Sequence, residues 1–77
     1  MINDIRIIYY HSYLIKYIGY IKNEKYDGYG KLYHRNGKLF YEGNFKEHLF
    51  NGYGIKYDED GNILYNGLFY NGFPIFV

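Results

Sequence analysis

The sequence predicts an all-β fold, a single antiparallel meander of about three β-hairpin repeats with a period of 24 residues that forms one open curved sheet. Composition is the first reason. The chain has 13 Tyr, 6 Phe and 10 Gly but no Ala, which disfavours helix and favours strands joined by tight turns. The second reason is that the chain repeats itself, and the third is that hairpin turn signals recur at regular intervals.

The repeat is visible when residues 17–40 are written above residues 41–64, because the two segments align without a gap and eight of 24 columns are identical. We interpret residues 1–77 as one domain with a degenerate half repeat (1–16), repeat 1 (17–40), repeat 2 (41–64) and a truncated third copy that serves as a cap (65–77). The residues expected to carry the repeat structurally are Tyr17, Gly19, Gly28, Gly30, Gly37, Tyr41, Gly43, Gly52, Gly54, Gly61, Tyr65 and Gly67.

Each copy is predicted to contain two strands and two turns. Asn36-Gly37, Asp60-Gly61 and Asn71-Gly72 lie between aromatic and β-branched runs, which is a strong signal for a hairpin. Residues 23–28 and 47–52 are predicted to be polar loops that close on a glycine. The strands are expected near residues 5–10, 14–22, 29–34, 38–46, 53–57, 62–70 and 73–77.

The strands alternate so that one face carries a glycine between two large apolar residues. Tyr41, Gly43 and Phe45 form one such set, and residues 17–21 and 65–69 form the others. We expect each glycine to leave a notch in which an aromatic ring of the neighbouring strand lies flat. The rows expected to supply those rings and apolar groups contain Tyr29, Tyr33, Tyr53, Ile55 and Tyr57.

This pattern resembles the MORN repeat (membrane occupation and recognition nexus), a Tyr-x-Gly-x-aromatic run followed by a polar stretch, Gly-x-Gly and a second glycine turn. The segment "YEGNFKEHLFNGYGIKYDEDGN" at 41–62 matches throughout, and the segment at 17–38 departs only where Ile18 replaces the acidic residue Glu42. Asn66 departs at the same column. The resemblance covers about residues 17–73. It implies a curved sheet of hairpins and a non-catalytic role in scaffolding, oligomerisation, partner docking or binding to anionic phospholipid.

Sites for chemistry are not expected, so we assign no catalytic residue, no metal ligand and no cofactor. Gly52-Tyr53-Gly54 lacks the third glycine and the helix of a dinucleotide site, and lacks the Lys-Ser/Thr of a phosphate loop. Asp58–Gly61 lacks the spacing of a calcium loop. The three histidines have no metal-ligand spacing, and the chain has no cysteine.

The charge is uneven along the chain, although the total is only +1. Residues 1–40 carry a net charge of +4 and residues 41–77 a net charge of −3. A basic patch in the first half suggests two alternative functions, a peripheral module on anionic phospholipid and a tyrosine-stacking binder of single-stranded RNA or DNA. The candidate basic patch consists of Lys16, Lys22, Lys25, Lys31, Arg35 and Lys38.

The preferred interpretation is a protein-binding module, either a scaffold or an occluding inhibitor. One biological setting for such a module is a viral or phage-encoded inhibitor of a host defence protein. The expected location is cytoplasmic, with peripheral membrane attachment as the alternative. The apolar tail at 73–77 is either a lid over the last hairpin or a sticky edge, and edge or head-to-tail contact between copies is a further hypothesis. The candidate partner-binding residues, expected on the opposite side of the sheet, in loops or at this tail, are Tyr20, Phe40, Phe50, Tyr70, Phe73 and Phe76.

Overall fold

The computed structural model describes residues 4–76, which form one antiparallel sheet of seven strands in chain order. The predicted all-β open meander is therefore confirmed, and the described residues contain no helix. The sheet is a single layer with extents of 37 × 34 × 12 Å. The strands are β1 (Asp4–His11), β2 (Leu14–Lys22), β3 (Lys25–Tyr33), β4 (Leu39–Lys46), β5 (Leu49–Tyr57), β6 (Ile63–Tyr70) and β7 (Phe73–Pro74).

Two predicted loops are wrong. Residues 23–28 and 47–52 are not loops, because β3 and β5 begin at Lys25 and Leu49 directly after two-residue turns. Both residues of each turn have positive φ, 51° and 65° at residues 23–24 and 49° and 74° at residues 47–48. That is the geometry of a type I′ hairpin, which usually selects Asn-Gly. Asn-Glu and Glu-His adopt it here, so the usual sequence signal is missing.

The other hairpins follow the sequence signals. Gly37 and Gly61 have φ of 88° and 95° at the ends of three-residue loops, the position that needs a left-handed residue. The Asn36 side-chain oxygen accepts from the Lys38 amide at 2.8 Å. In the equivalent loop, hydrogen bonds from the Asn62 and then the Asp60 amide lower the pKa of Asp58. The sheet therefore has a tight-turn edge (residues 23–24, 47–48 and 71–72) and a loop edge (35–37 and 59–61).

The core lies on one side of the sheet, which we call the inner face. The Tyr17 and Tyr41 rings are fully buried there. Each is stacked on an aromatic ring of the next strand, Tyr17 on Tyr26 and Tyr41 on Phe50, with centroids 3.9 Å apart in both pairs. Phe45 meets both tyrosines edge-on at 5.4 and 5.0 Å. Stacked and edge-on aromatic pairs thus replace the layered core of a thicker domain.

Glycines make this packing possible, as the sequence suggests, but the ring above them has a different origin. Gly19 and Gly30 face each other across β2 and β3, and a Cβ on either glycine would collide with the Tyr17 side chain. The ring therefore lies along its own strand, and the expectation that it comes from the neighbouring strand is wrong. Its hydroxyl donates to the Tyr20 carbonyl at 2.8 Å, an interaction that recurs at Tyr41 and Tyr65.

Hydrogen bonds between residues 22 or 23 positions apart also join one repeat to the next. At the tight-turn edge, the His48 amide donates to the Tyr26 carbonyl at 2.9 Å and the Gly72 amide to the Phe50 carbonyl at 2.8 Å. At the loop edge, the Tyr10 hydroxyl donates to the Tyr33 carbonyl at 2.6 Å, and His34 Nε2 lies 3.3 Å from the Tyr57 carbonyl. Each copy is therefore anchored to its neighbour at both edges.

The C-terminal segment continues the last hairpin alongside β6. The Ile75 amide donates to the Leu68 carbonyl at 2.8 Å, and the Tyr65 hydroxyl donates to the Ile75 carbonyl at 2.8 Å. The Phe76 ring meets the Tyr65 ring edge-on at 5.5 Å. The Ile75–Leu68 bond continues the pairing of Phe69 with Pro74 and of Tyr70 with Phe73, so the tail lies beside β6 at the edge of the sheet, and the lid and the sticky edge both stay predictions. The predicted strand at 73–77 is nevertheless reduced to Phe73–Pro74, and residue 77, like 1–3 of the degenerate half repeat, lies outside the described residues.

Candidate functional site

The side of the sheet opposite the inner face, which we call the outer face, is not covered by any described part of the chain. Side chains alternate between the two faces, so the strands that bury Tyr17 and Tyr41 turn other large residues outward. On the same face, Asn44 and Glu42 of β4 lie between the row on β3 and the row on β5. The large apolar residues of this face are between 39% and 64% exposed. They are Ile5, Ile7, Tyr20, Tyr29, Tyr53 and Leu68.

In repeat 2 the outer face is closed by hydrogen bonds between side chains. The Tyr57 hydroxyl donates to Glu42 Oε1 at 2.7 Å, and the Tyr53 hydroxyl donates to Asn66 Oδ1 at 2.5 Å. The bond to the Glu42 carboxylate, followed by burial, raises the pKa of Tyr57. These bonds tie β4, β5 and β6 together across the surface and direct the polar groups toward each other.

In repeat 1 the equivalent place is an open cleft of about 250 Å³. Ile18 stands where repeat 2 has Glu42, so the Tyr33 hydroxyl lacks the carboxylate that Tyr57 binds. Within residues 4–76 that hydroxyl has no hydrogen-bond partner. The cleft spans β1, β2 and β3, and its lining side chains are Ile5, Ile18, Tyr20, Tyr29, Lys31 and Tyr33.

The structure places four of the six candidate partner-binding residues at the surface. Tyr20 and Tyr70 are exposed on the outer face, and Phe73 and Phe76 are exposed at the C-terminal end, 74% and 79% respectively. The tail therefore contacts Tyr65 with its backbone while it presents two phenyl rings to solvent.

The expected placement of Phe40 and Phe50 on the opposite side or in a loop is wrong, because both lie in strands with their rings on the inner face. Phe50 is half-buried against Tyr41 on the inner face. Phe40 is the extra residue where β4 shifts register against β3, and this bulge turns its ring inward. Its centroid lies 6.1 Å from that of Phe50. Neither ring is therefore part of the outer face.

The candidate basic residues are not one patch. Lys22 and Lys25 face each other at the tight-turn edge, whereas Lys16 and Arg35 lie over the Tyr10 ring near the loop edge, 5.8 and 4.3 Å from its centroid. Lys38 belongs to the loop edge as well, and only Lys31 lies in the outer-face cleft. Nine strand residues separate the edges, which is on the order of 25 Å.

A second groove, of about 480 Å³, lies at the tight-turn edge. Lys22, Lys25 and Lys46 line it together with Asp27 and Glu47. Cations and carboxylates alternate along this groove, so it has no strong field of one sign. Its polarity distinguishes it from the cleft on the outer face, which is largely apolar.

The remaining candidate groups have structural surroundings in the described part of the chain. His48 Nδ1 accepts from the Tyr26 amide at 3.2 Å, and the His34 ring packs against Phe40. Among residues 4–76 no group of three or more His, Cys, Asp or Glu side chains is placed to hold a metal ion. No helix in the same range is long and apolar enough to cross a membrane.

The geometry defines a class of protein, a single-layer β-hairpin repeat sheet with one packed face and one uncovered face. Comparisons of the chain with protein-family models, with curated proteins and with solved structures found no match. Sequence reasoning expected Tyr29 and Tyr33 in the glycine notches, whereas they lie on the outer face, and it did not bring Ile5 and Ile18 together with them as a cleft. The signal for the cleft is Ile18, the departure from the acidic column of the repeat.

Proposed function

We propose that the protein is a non-catalytic, MORN-type module that binds another protein through its outer face, as a scaffold or as an occluding inhibitor. The observation that carries this proposal is the row of exposed aromatic and aliphatic side chains on the outer face. The packed rings of the inner face fix the strands that present them. Large exposed apolar side chains grouped on one face are typical of an interaction site. Tyrosine is also among the residue types that contribute most to binding.

The size of the face supports the same proposal. The sheet extends 37 × 34 Å, which exceeds the roughly 800 Å² that each partner contributes to a standard protein–protein interface. A flat sheet also changes little on binding, because each strand is paired on both sides except at the ends. The module therefore offers a large surface that is already ordered, and ordering it adds little to the free energy of association.

Binding to anionic lipid or nucleic acid is supported less well. Both functions need a concentration of cations on one surface, and the six candidate basic residues are divided between two edges and the outer face. The outer-face rows that carry Tyr29 and Tyr53 hold one cation and one carboxylate, Lys31 and Glu42, in register with each other. Electrostatic attraction of phosphate to this part of the sheet is therefore weak.

The test is affinity capture from the cells in which the chain is produced, followed by measurement of the captured partner with purified proteins. We expect the double variant Tyr29→Ser/Tyr53→Ser to lose the partner. Tyr13→Ser is the matched control, because Tyr13 is 94% exposed but lies in the turn before β2, away from the outer face. The double variant Phe73→Asp/Phe76→Asp measures how much the exposed rings of the tail contribute to partner capture, separately from the outer face. Equal capture by wild type and the outer-face double variant would contradict the proposal.

Two further measurements distinguish the alternatives. Flotation with phosphatidylcholine vesicles, with and without phosphatidylserine, reports lipid binding, and a gel shift with single-stranded RNA across a salt series reports nucleic-acid binding. The protein-binding proposal predicts no co-flotation and no shifted band at physiological salt. Salt-sensitive binding that requires Lys22 and Lys25 would favour the lipid alternative if it is to phosphatidylserine vesicles, and the nucleic-acid alternative if it is to RNA.

A further inference from the structure

The cleft in repeat 1 is a local difference between two copies that otherwise share one framework. Tyr29 and Tyr33 occupy the same columns as Tyr53 and Tyr57 of repeat 2. Three other lining columns on β2 and β3 differ, because Ile18, Tyr20 and Lys31 stand where repeat 2 has Glu42, Asn44 and Ile55. Glu42 receives a hydrogen bond from Tyr57, whereas Ile18 offers an apolar surface to Tyr33. Packing of the fold does not require the open arrangement, because repeat 2 shows the closed one on the same backbone.

The polar groups of the cleft are available to a ligand. Within residues 4–76 the Tyr33 hydroxyl has no hydrogen-bond partner, and the ion pair found within 4.0 Å is Arg6–Glu24, which does not involve Lys31. Glu42 faces Lys31 across β3 and β4, but its carboxylate is bound by Tyr57. The cleft therefore contains an ammonium group and a phenolic O–H with apolar walls, and its lining includes no carboxylate.

The chemistry of the occupant follows from those groups. The aliphatic walls of Ile5 and Ile18 and the rings of Tyr20 and Tyr29 suit a flat apolar group, and 250 Å³ accommodates one large side chain rather than an extended ligand. Lys31 and Tyr33 are two donors, which suit a carboxylate beside that group.

We propose that this cleft is the anchor pocket of the outer face and that it receives an aromatic side chain of the partner protein flanked by Asp or Glu. The inference rests on the proposed protein-binding function and names the chemistry of the partner. A second copy of this chain fits less well, because its most exposed rings, Phe73 and Phe76, are flanked in sequence by Gly72, Pro74 and Ile75 rather than by acids.

The direct test is a titration of the ¹⁵N-labelled full chain, followed by NMR, with three blocked tripeptides: Glu-Phe-Glu, Glu-Ala-Glu and Lys-Phe-Lys. We expect Glu-Phe-Glu to shift the amides around Ile18, Tyr29 and Lys31 with a dissociation constant on the order of 1 mM, since a single anchor lacks the rest of the interface. The other two peptides should bind at least about tenfold more weakly, because each lacks one of the two recognised groups.

Variants that place the residues of one repeat at the equivalent positions of the other make the test specific to the cleft. Ile18→Glu places the residue of repeat 2 beside Tyr33 and should close the cleft, with at least a tenfold loss of Glu-Phe-Glu binding. Lys31→Gln should weaken binding severalfold, while Lys38→Gln, a lysine at the loop edge, should leave it unchanged. Glu42→Ile, Asn44→Tyr and Ile55→Lys together should create a second cleft, visible as new shifts around Tyr53 and Tyr57.

Several results would overturn the proposal. They are the absence of any shift at about 10 mM Glu-Phe-Glu, equal binding of the cationic peptide, and unchanged binding by Ile18→Glu. If Ile18→Glu does not fold, Lys31→Gln and Tyr33→Phe carry the test.

A result against the anchor pocket is distinguishable from a result against the proposed protein-binding function. If Tyr29→Ser/Tyr53→Ser abolishes partner capture but Ile18→Glu does not, the outer face binds protein and the pocket is not its anchor.

Discussion

The inner and outer faces of this sheet use the same residue type for opposite purposes. Tyr41 is fully buried on the inner face, whereas Tyr53, on the next strand, is 55% exposed on the outer face. Tyr41 lies flat because Gly43 and Gly54 leave room beneath its ring. Tyr53 has Leu68 in register across the strand pair and no such space. The role of a tyrosine in this fold is therefore decided by its neighbours across the sheet.

The largest expected effect is the difference in stability between a variant that lacks a ring of the inner face and a variant that lacks a ring of the outer face. Tyr41→Ala should destabilise the protein by about 3–5 kcal/mol, because it leaves a cavity beside Phe45, Phe50 and Phe69. A loss of this size unfolds a substantial fraction of a small domain. Tyr53→Ala should change the stability by less than about 1 kcal/mol. Urea denaturation monitored by circular dichroism measures both, and equal losses would show that the two faces are not energetically distinct.

The second effect concerns the glycines under the buried rings. Gly54→Ala should cost about 3 kcal/mol, because the added methyl group occupies the space of the Tyr41 ring. Gly37 is the matched control. Nothing lies within 4 Å of a Cβ there, and only its φ of +88° opposes alanine, by about 1 kcal/mol. Thermal unfolding of the two variants should rank them in that order, and the reverse ranking would contradict the packing described for the inner face.

The third effect is a loss of stability at alkaline pH. Burial raises the pKa of Tyr41 from 10.0 to about 12, so the folded state retains a proton that the unfolded state releases first. This contribution is fully present below pH 10 and is lost as the pH rises through about 12. Urea midpoints measured between pH 9 and 12 test it. Tyr41→Phe should show a shallower decrease, and an identical decrease would assign the effect to other groups.

The smallest effect compares the two copies of the outer face. Tyr57→Phe removes the hydrogen bond to Glu42 and should cost about 0.5–1.5 kcal/mol. Tyr33→Phe should leave the stability unchanged, because the Tyr33 hydroxyl has no partner within residues 4–76. The difference between the two melting temperatures measures how far the copies have diverged, and equal losses would mean that Tyr33 forms a bond not present in this conformation.

Sequence reasoning predicted the sheet, its strand order and its buried face, because period-2 alternation and a 24-residue repeat are local properties of the chain. It misplaced the starts of β3 and β5, because Asn23-Glu24 and Glu47-His48 adopt a left-handed turn without glycine. Gly28 and Gly52, read as loop ends, have positive φ inside strands, where β3 and β5 shift register against their neighbours.

The candidate site was predictable only in part. Tyr20 and Tyr70 follow from alternation, whereas Phe40 and Phe50 do not, because a bulge and a ring stack across strands turn them inward. The basic residues looked like one patch because they are close in sequence. Strands about 25 Å long carry them to opposite edges of the sheet.

The sequence by itself determined that this chain forms an open sheet of hairpin repeats, because the alternation and turn residues that specify such a sheet lie within a few positions of each other. Only the tertiary structure decided that Phe40 and Phe50 turn inward, where the tail contacts Tyr65 and that a cleft lies beside Ile18, Lys31 and Tyr33. Those features depend on contacts between strands up to 24 residues apart and on register shifts of one or two residues. A short-range sequence pattern does not reveal such contacts or shifts.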